Sequence, residues 1–283
     1  MHRRALEQIV AAALNEDIGP GDATTEACVA PGATMRARIR AKQPGVVAGL
    51  AAAEESFRQL SLDVSFAAHI SDGDRVDVGD VIADVAGPAR ALLTAERTAL
   101  NFLQHLSGIA TLTFGFVAAT QGTKAVIVDT RKTTPGLRLL EKAAVRAGGG
   151  RNHRFALYDG VLIKDNHIRA AGSITAAVEA ARRSASHLLA VEVEVTTLEE
   201  LDEALAAAAD VVMLDNMDLP TLREAVRRVA GKALVEASGG ISLDNVREIA
   251  AAGVDVISVG AITHSASAID MSMETASVDG SDS

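Results

Sequence analysis

The sequence predicts an α/β protein in two parts: a mixed α/β first region, then parallel strands joined by helices. Three observations carry this. From about Lys124 onward, the apolar runs "KAVIVDT", "GVLIKD", "LLAVEVEV", "DVVMLDN", "ALVEASGG" and "DVISVGA" alternate with Ala-rich amphipathic segments. Their C-terminal ends fall near residues 130, 165, 195, 216, 240 and 261, a spacing that gives parallel strands with right-handed crossovers. The first hundred residues instead mix helical periodicity with turn-rich stretches. At 283 residues and 48% apolar content, the chain is long enough for one large core or two modest ones.

In order along the chain, Arg3-Arg4 ahead of apolar residues superficially suggest a signal peptide. However, Leu6, Ile9, Val10, Ala13 and Leu14 recur at helical spacing and Glu7-Gln8 interrupt the run, so an amphipathic helix is expected. "NEDIGPGDATTE" reads as a polar loop. "MRARIRAK" (Met35 to Lys42) alternates like a half-buried strand, and "SDGDRVDVGDVIADVAG" reads as hairpins of a small sheet. Helical spacing returns at Thr94 with Leu100, Leu103, Leu106 and Ile109, and Ser107-Gly108 marks a break or a close helix contact. A complete eight-unit barrel needs ~250 residues. Only about 150 follow, enough for six strand–helix units. The second region is therefore an incomplete or open barrel, or a doubly wound sheet. The tail "VDGSDS" is expected to be disordered.

Composition excludes several functions. With 27 Lys+Arg against 37 Asp+Glu, the net charge of −10 argues against general affinity for nucleic acid or anionic membranes, while allowing a local basic pocket. No apolar run is read as approaching the ~18–20 residues of a membrane span, and a soluble cytoplasmic protein is expected. The single cysteine, Cys28, excludes an internal disulfide and a multi-thiolate zinc site, and is read as a small buried hydrophobe. No Walker motif, dinucleotide fingerprint or HExxH spacing occurs.

The polar groups sit where parallel α/β folds place function, at the C-terminal strand ends. They are Thr130-Arg131-Lys132, Lys164-Asp165, Glu194, Asp215-Asn216, Ser238-Gly239-Gly240 and Gly260. One charge leaving an apolar strand usually just begins a solvated loop; the same feature on all six runs marks a site. In "VEVEV", Glu192 and Glu194 share one face and Val191, Val193 and Val195 the other, so the acids point into the barrel and need cations or a metal to answer them. An edge strand with one wet side is the alternative. The glycines on the last two strands suit a phosphate cradle. His153 and Arg154, after the helix stop "RAGGGRN", lie on the loop into the second strand. Beside Arg154, an anion-binding role for His153 competes with a structural hydrogen bond. His264, following Gly260, is a better candidate than His167.

These stretches carry a resemblance. "ERTALNFLQHLSGIAT", "DTRKTTPGLRLLEKAAVRAGGGRNHR", "DGVLIKDNHI", "VEVEV", "MLDN", "EASGGI" and "SVGAITHS" closely resemble quinolinate phosphoribosyltransferases, from the "NEDIGPGDATT" loop to about residue 274. The resemblance implies an N-terminal α/β sandwich domain, an incomplete (open) α/β barrel of the type II phosphoribosyltransferase architecture, and a homodimer with shared active sites. The boundaries expected are 1–110 for the sandwich, 111–267 for the barrel, and 268–283 for a segment packing back on the first domain. It also implies the reaction: quinolinate and 5-phosphoribosyl 1-pyrophosphate, with Mg²⁺, give nicotinate mononucleotide, pyrophosphate and CO₂ in NAD biosynthesis. Arg131, His153, Arg154 and Lys164 match quinolinate-binding positions, and Arg97 is expected to reach in from the neighbouring subunit. Thr130 and Lys132 match positions between the two substrates. Glu194 and Asp215 match the acids that hold the ribose hydroxyls and the metal. Ser238, Gly239, Gly240 and Gly260 match the 5-phosphate cradle, with His264 added to the binding set. Lys132, Lys164, Glu194 and Asp215 are the expected catalytic group.

Other readings remain at this stage. A relative of the same fold could use another acceptor, such as a nicotinate-type enzyme or the molybdenum-transport-associated protein. A barrel lyase could use Lys164 as a Schiff-base amine. The hairpin-rich first region could be a docking module, although it displays no lysine at a hairpin tip.

Overall fold

Apolar spacing becomes packing from the first helix, α1 (Arg3–Ile18), which buries Leu6, Val10 and Leu14 along one stripe. The computed structural model describes residues 3–275, so the expected disordered tail lies outside the described residues. The chain divides into two compact units, the first made of residues 3–112, 134–149 and 266–275, the second of 113–133 and 150–265.

In the first unit, part of the expected loop after α1 forms a short helix, α2 (Ala23–Cys28), capped by Asp22, whose side chain accepts the Thr25 N–H at 2.9 Å. This helix buries only Thr25, so Cys28 at its end is exposed, against the expectation of a buried thiol. Next come β1 (Thr34–Ala41), β2 (Gly45–Val46), α3 (Leu50–Leu60), β3 (Ser65–Ala68), β4 (Arg75–Val76) and β5 (Val81–Pro88). β1 alternates as expected, with Ala37, Ile39 and Ala41 buried. The turn-rich stretch does not close on itself as hairpins. β4 pairs antiparallel with β2, and β5 with β1 and β3, all of them strands that precede the stretch.

The helix α4 (Ala89–Ala119) starts earlier than Thr94 and runs unbroken through Ser107-Gly108. Gly108 answers the second possibility, close contact: a Cβ there would lie 2.1 Å from the Ser267 carbonyl oxygen. Among the described residues α4 is the one helix long and apolar enough to cross a membrane. Here Leu92, Ala95, Ala99, Leu100 and Leu103 join Ile39, Phe57, Ile82 and Val85 in the first unit's core. Burying each such Leu, Ile or Phe contributes roughly 1.5–3 kcal/mol.

The second unit is the parallel layer. Its strands are β6 (Val126–Val128), β7 (Val161–Ile163), β8 (Val191–Val195), β9 (Val211–Asp215), β10 (Leu234–Ser238) and β11 (Val256–Ser258), in the order β6-β11-β10-β9-β8-β7. All neighbours are parallel. The sequence-last strand β11 returns to β6, as in a barrel, yet β6 and β7 do not pair; β6 makes only an isolated bridge, Val128 to Arg151. The sheet is an open α/β barrel, which decides between the two architectures left by the strand count. The long β6–β7 connection carries α5 (Arg138–Ala147), which groups with the first unit and so departs from the expected 111–267 boundary. Helices α6 (Asp165–Ala171), α7 (Ile174–Ser184), α8 (Leu198–Ala206), α9 (Leu219–Val229), α10 (Val246–Ala251) and α11 (Ala261–His264) fill the later connections. The final strand β12 (Met271–Thr275) belongs to the first unit and pairs antiparallel with β1, completing the order β12-β1-β5-β3.

Candidate active site

A cleft of about 770 Å³ opens at the C-terminal ends of the parallel strands. Alternate residues line it, Leu162 and Lys164 at β7, Met213 and Asp215 on β9, Glu236 and Ser238 on β10. The intervening Val212, Leu214, Val235 and Ala237 are buried, as a pleat of period two requires. Strands β9 and β10 therefore use one face for the core and the other for the cleft.

One side of the cleft is cationic. Thr130, Arg131 and Lys132 follow β6, His153 and Arg154 precede β7, and Lys164 follows it. Asp129, fully buried at the end of β6, fixes the second of these segments: its carboxylate accepts the His153 backbone N–H at 2.9 Å and the Asn152 side-chain N–H at 2.7 Å. The Lys132 N–H donates to Thr130 Oγ1 at 3.0 Å, and the Lys132 carbonyl accepts from buried Thr263 at 2.7 Å, so this backbone is pinned from both sides. Arg154 donates to the Gly160 carbonyl at 3.1 Å. Burial, and then the neighbouring Arg131 charge, push the Arg154 guanidinium below its ordinary value. Cations crowded into a half-buried corner gain from an incoming anion.

The other side carries acids and bare backbone. Glu194, on β8, meets the Lys164 ammonium in a salt bridge. Asp215, at the end of β9, accepts from Asn216 Nδ2 at 2.9 Å. Ser238, Gly239 and Gly240 end β10, with Gly260 after β11. Gly239 has φ +86°, and a Cβ there would fall 2.3 Å from Asn216 Oδ1, so a larger residue would strain the backbone and displace the Asn216 side chain. Asn245 holds the loop, donating from Nδ2 to the Gly240 carbonyl and accepting the Ser242 N–H, both at 2.9 Å. His264 also lines the cleft, with Nδ1 2.6 Å from Ser265 Oγ. His167 instead accepts the Lys164 backbone N–H at 2.9 Å and serves the start of α6.

The structure thus brings thirteen of the fourteen expected residues to one cleft. The exception is Arg97, exposed on α4 in the first unit and absent from the cleft lining of its own chain.

At the cationic corner His153 joins two acids, Glu192 and Glu236, that were given no substrate role from sequence. His153 Nε2 lies 3.0 Å from Glu192 Oε2 and 3.6 Å from Glu236 Oε2. The pair of strand acids expected on β8 is therefore answered by two separate groups, Glu194 by Lys164 and Glu192 by His153. Glu236 is pushed up to about 7, first by burial and then by the charge of Glu192, against the pull of His153. The one available signal was an acid inside the apolar run "ALVEAS", two residues before Ser238 on the same strand face.

Comparison with known proteins supplies the family. "Quinolinate phosphoribosyl transferase, N-terminal domain" matches residues 22–107, and the corresponding C-terminal domain matches residues 109–274. The chain belongs to the quinolinate phosphoribosyltransferase family. The probable nicotinate-nucleotide pyrophosphorylase [carboxylating] of Bacillus subtilis is 49% identical, over 92% of this chain and 89% of that protein. The nicotinate-nucleotide pyrophosphorylase [carboxylating] of Mycobacterium leprae is 44% identical, over 95% of this chain and 97% of that one. In three dimensions the nicotinate-nucleotide pyrophosphorylase from Francisella tularensis superposes with a TM-score of 0.93 at 42% identity, covering 98% of each chain. The open barrel and its companion sheet are thus the type II phosphoribosyltransferase fold.

Proposed function

We infer that this protein is a quinolinate phosphoribosyltransferase, transferring phosphoribosyl from 5-phosphoribosyl 1-pyrophosphate to quinolinate with loss of CO₂ in NAD biosynthesis. The observation that carries this reading is the division of one cleft into a cationic corner and a rim of acids and glycines. Quinolinate has two adjacent carboxylates, and guanidinium forks bind carboxylates in bidentate fashion. Arg131, His153 and Arg154 take the dicarboxylate, with Lys164 beside it. Arg97 would be supplied by a second copy of the chain, completing the clamp in a homodimer.

Ser238, Gly239, Gly240 and Gly260 offer backbone N–H groups to the 5-phosphate, with His264 nearby. Thr130 and Lys132 sit between the two substrates. Glu194 and Asp215 hold the ribose hydroxyls. Their oxygen-only donor set suits Mg²⁺, which is commonly held by one or two carboxylates together with substrate phosphates. Bound there, Mg²⁺ would offset the negative charge of the departing pyrophosphate.

As pyrophosphate leaves, positive charge builds at the ribosyl carbon, and the Glu194 and Asp215 carboxylates stabilise it. The clamp holds the pyridine nitrogen in line with that carbon, so most of the gain is orientation and fixed charge. Once ribosylated, the ring nitrogen is cationic and accepts the electron pair left at the adjacent carbon when CO₂ departs; a proton then replaces it. No covalent nucleophile is needed. The Glu194 carboxylate on Lys164 suits a cation better than the neutral amine a Schiff-base lyase requires.

Mass-spectrometric identification of the product tests this reading. Nicotinate mononucleotide formed from quinolinate, with little turnover of nicotinate as acceptor, is expected. Faster use of nicotinate would move the chain to a different acceptor. Cytoplasmic location is the companion proposal, checked by cell fractionation.

A further inference from the structure

The cluster at the cationic corner has a charge problem. Fully ionised, His153, Glu192 and Glu236 carry a net negative charge beside the place assigned to a dianion. Glu192 is 7% exposed and Glu236 3% exposed, so water does little to screen them. Glu236 also faces the Glu192 carboxylate and the Ser258 hydroxyl, and a close approach of two buried carboxylates favours a proton on one of them.

The groups facing this cluster come from every neighbouring element. Asp129 at the end of β6 accepts the His153 backbone N–H at 2.9 Å. The loop before β7 contributes Arg154, whose charge is felt by Arg131, Glu192 and Asp159. β8 contributes Glu192, β9 the apolar Met213 in register with Glu236, and β11 Ser258. Of these groups it is Glu236 that burial, and then the Glu192 charge, push up to about 7.

We propose that Glu236 is the proton acceptor of the dicarboxylate site: it takes up a proton from solvent when quinolinate binds, which removes one negative charge from beside the incoming carboxylates. The uptake makes the His153–Glu192–Glu236 cluster one charge less negative as two ligand charges arrive. Glu236 is then a positioning residue, acting on the acceptor through the charge it removes from the cleft wall it shares with His153. This rests on the quinolinate reading given above, and the test separates the two.

Calorimetric titration of the whole protein with quinolinate, repeated at pH 7 in buffers of different ionisation enthalpy, reads the proton count. About half a proton taken up per site is expected, because a group titrating near 7 is half-protonated beforehand. Affinity for quinolinate should also weaken roughly tenfold between pH 6 and pH 8, by linkage. Glu236→Gln should bind with a heat that no longer depends on the buffer. The wild-type pH dependence needs no variant, so a Glu236→Gln protein that fails to fold leaves the proposal exposed to test. Binding with the same heat in every buffer and an affinity flat across this range overturns the proposal while leaving the quinolinate reading intact. Release of protons, or a metal ion found on the three side chains by elemental analysis, overturns it as well. Absence of quinolinate binding overturns both.

Discussion

Lys164 and Glu194, on neighbouring parallel strands, meet in a salt bridge at the mouth of the cleft, with the lysine side chain 44% exposed and the glutamate 14%. At that exposure the pair is a weak source of stability, about 0–1 kcal/mol. Its position, between the cationic corner and the rim of acids, gives it the larger effect on chemistry. Glu194→Gln should lower kcat by roughly 10²–10³ while shifting Tm by only a few degrees. A matched loss of Tm and activity would assign the pair to the fold instead.

Arg154 belongs to the acceptor's half of the cleft. Arg154→Ala removes a charged donor, an effect of roughly 1.5–3 kcal/mol, so KM for quinolinate should rise about 10- to 150-fold. KM for phosphoribosyl pyrophosphate should change little. Steady-state kinetics with each substrate varied in turn checks this, and equal losses for both would contradict the division of the cleft.

Gly239 belongs to the sugar's half. Gly239→Ala places a methyl 2.3 Å from Asn216 Oδ1 at a φ of +86°. The Asn216 side chain must move and the backbone is strained, which should raise KM for phosphoribosyl pyrophosphate at least tenfold and cost roughly 1–3 kcal/mol of stability. Quinolinate binding, measured alone, should stay near wild type.

Glu236 sets the sign of a pH effect on stability. Its folded value, about 7, lies above the ordinary 4.5, so the folded state binds more protons across this interval. The favourable contribution is complete below 4.5 and is lost as the pH rises through 7, an interval worth roughly 3 kcal/mol. Glu236→Gln should therefore be relatively more stable above pH 7 than at pH 5, when unfolding is followed against denaturant at both values. A wild-type-to-variant difference independent of pH would show that the carboxyl is not titrating there.

The parallel strands were legible because each is a short apolar run whose end is marked by a charge or glycine, and because the runs recur at the length of a strand–helix unit. The cationic corner was legible for the same reason: Arg131, Lys132 and Lys164 stand immediately beyond such runs. What failed depended on distant pairing or on burial. The short strands β2 and β4 find each other across the chain, and nothing local in "DRVDVGD" distinguishes that from a hairpin. The earlier start of α4 comes directly after β5, where Pro88 and Arg90 obscure the helical period. Glu236 reads as one polar residue in a strand until the fold brings His153 and Glu192 beside it. The position of α5 in the first unit likewise follows from tertiary contacts, since its sequence fits either side of a strand crossover.

A crystal structure with quinolinate bound tests the division of the cleft most directly. The two carboxylates should lie on Arg131, His153 and Arg154, with the ring nitrogen turned toward Glu194 and Asp215. Quinolinate seated instead on the Ser238–Gly240 loop, away from the guanidinium groups, would contradict the account.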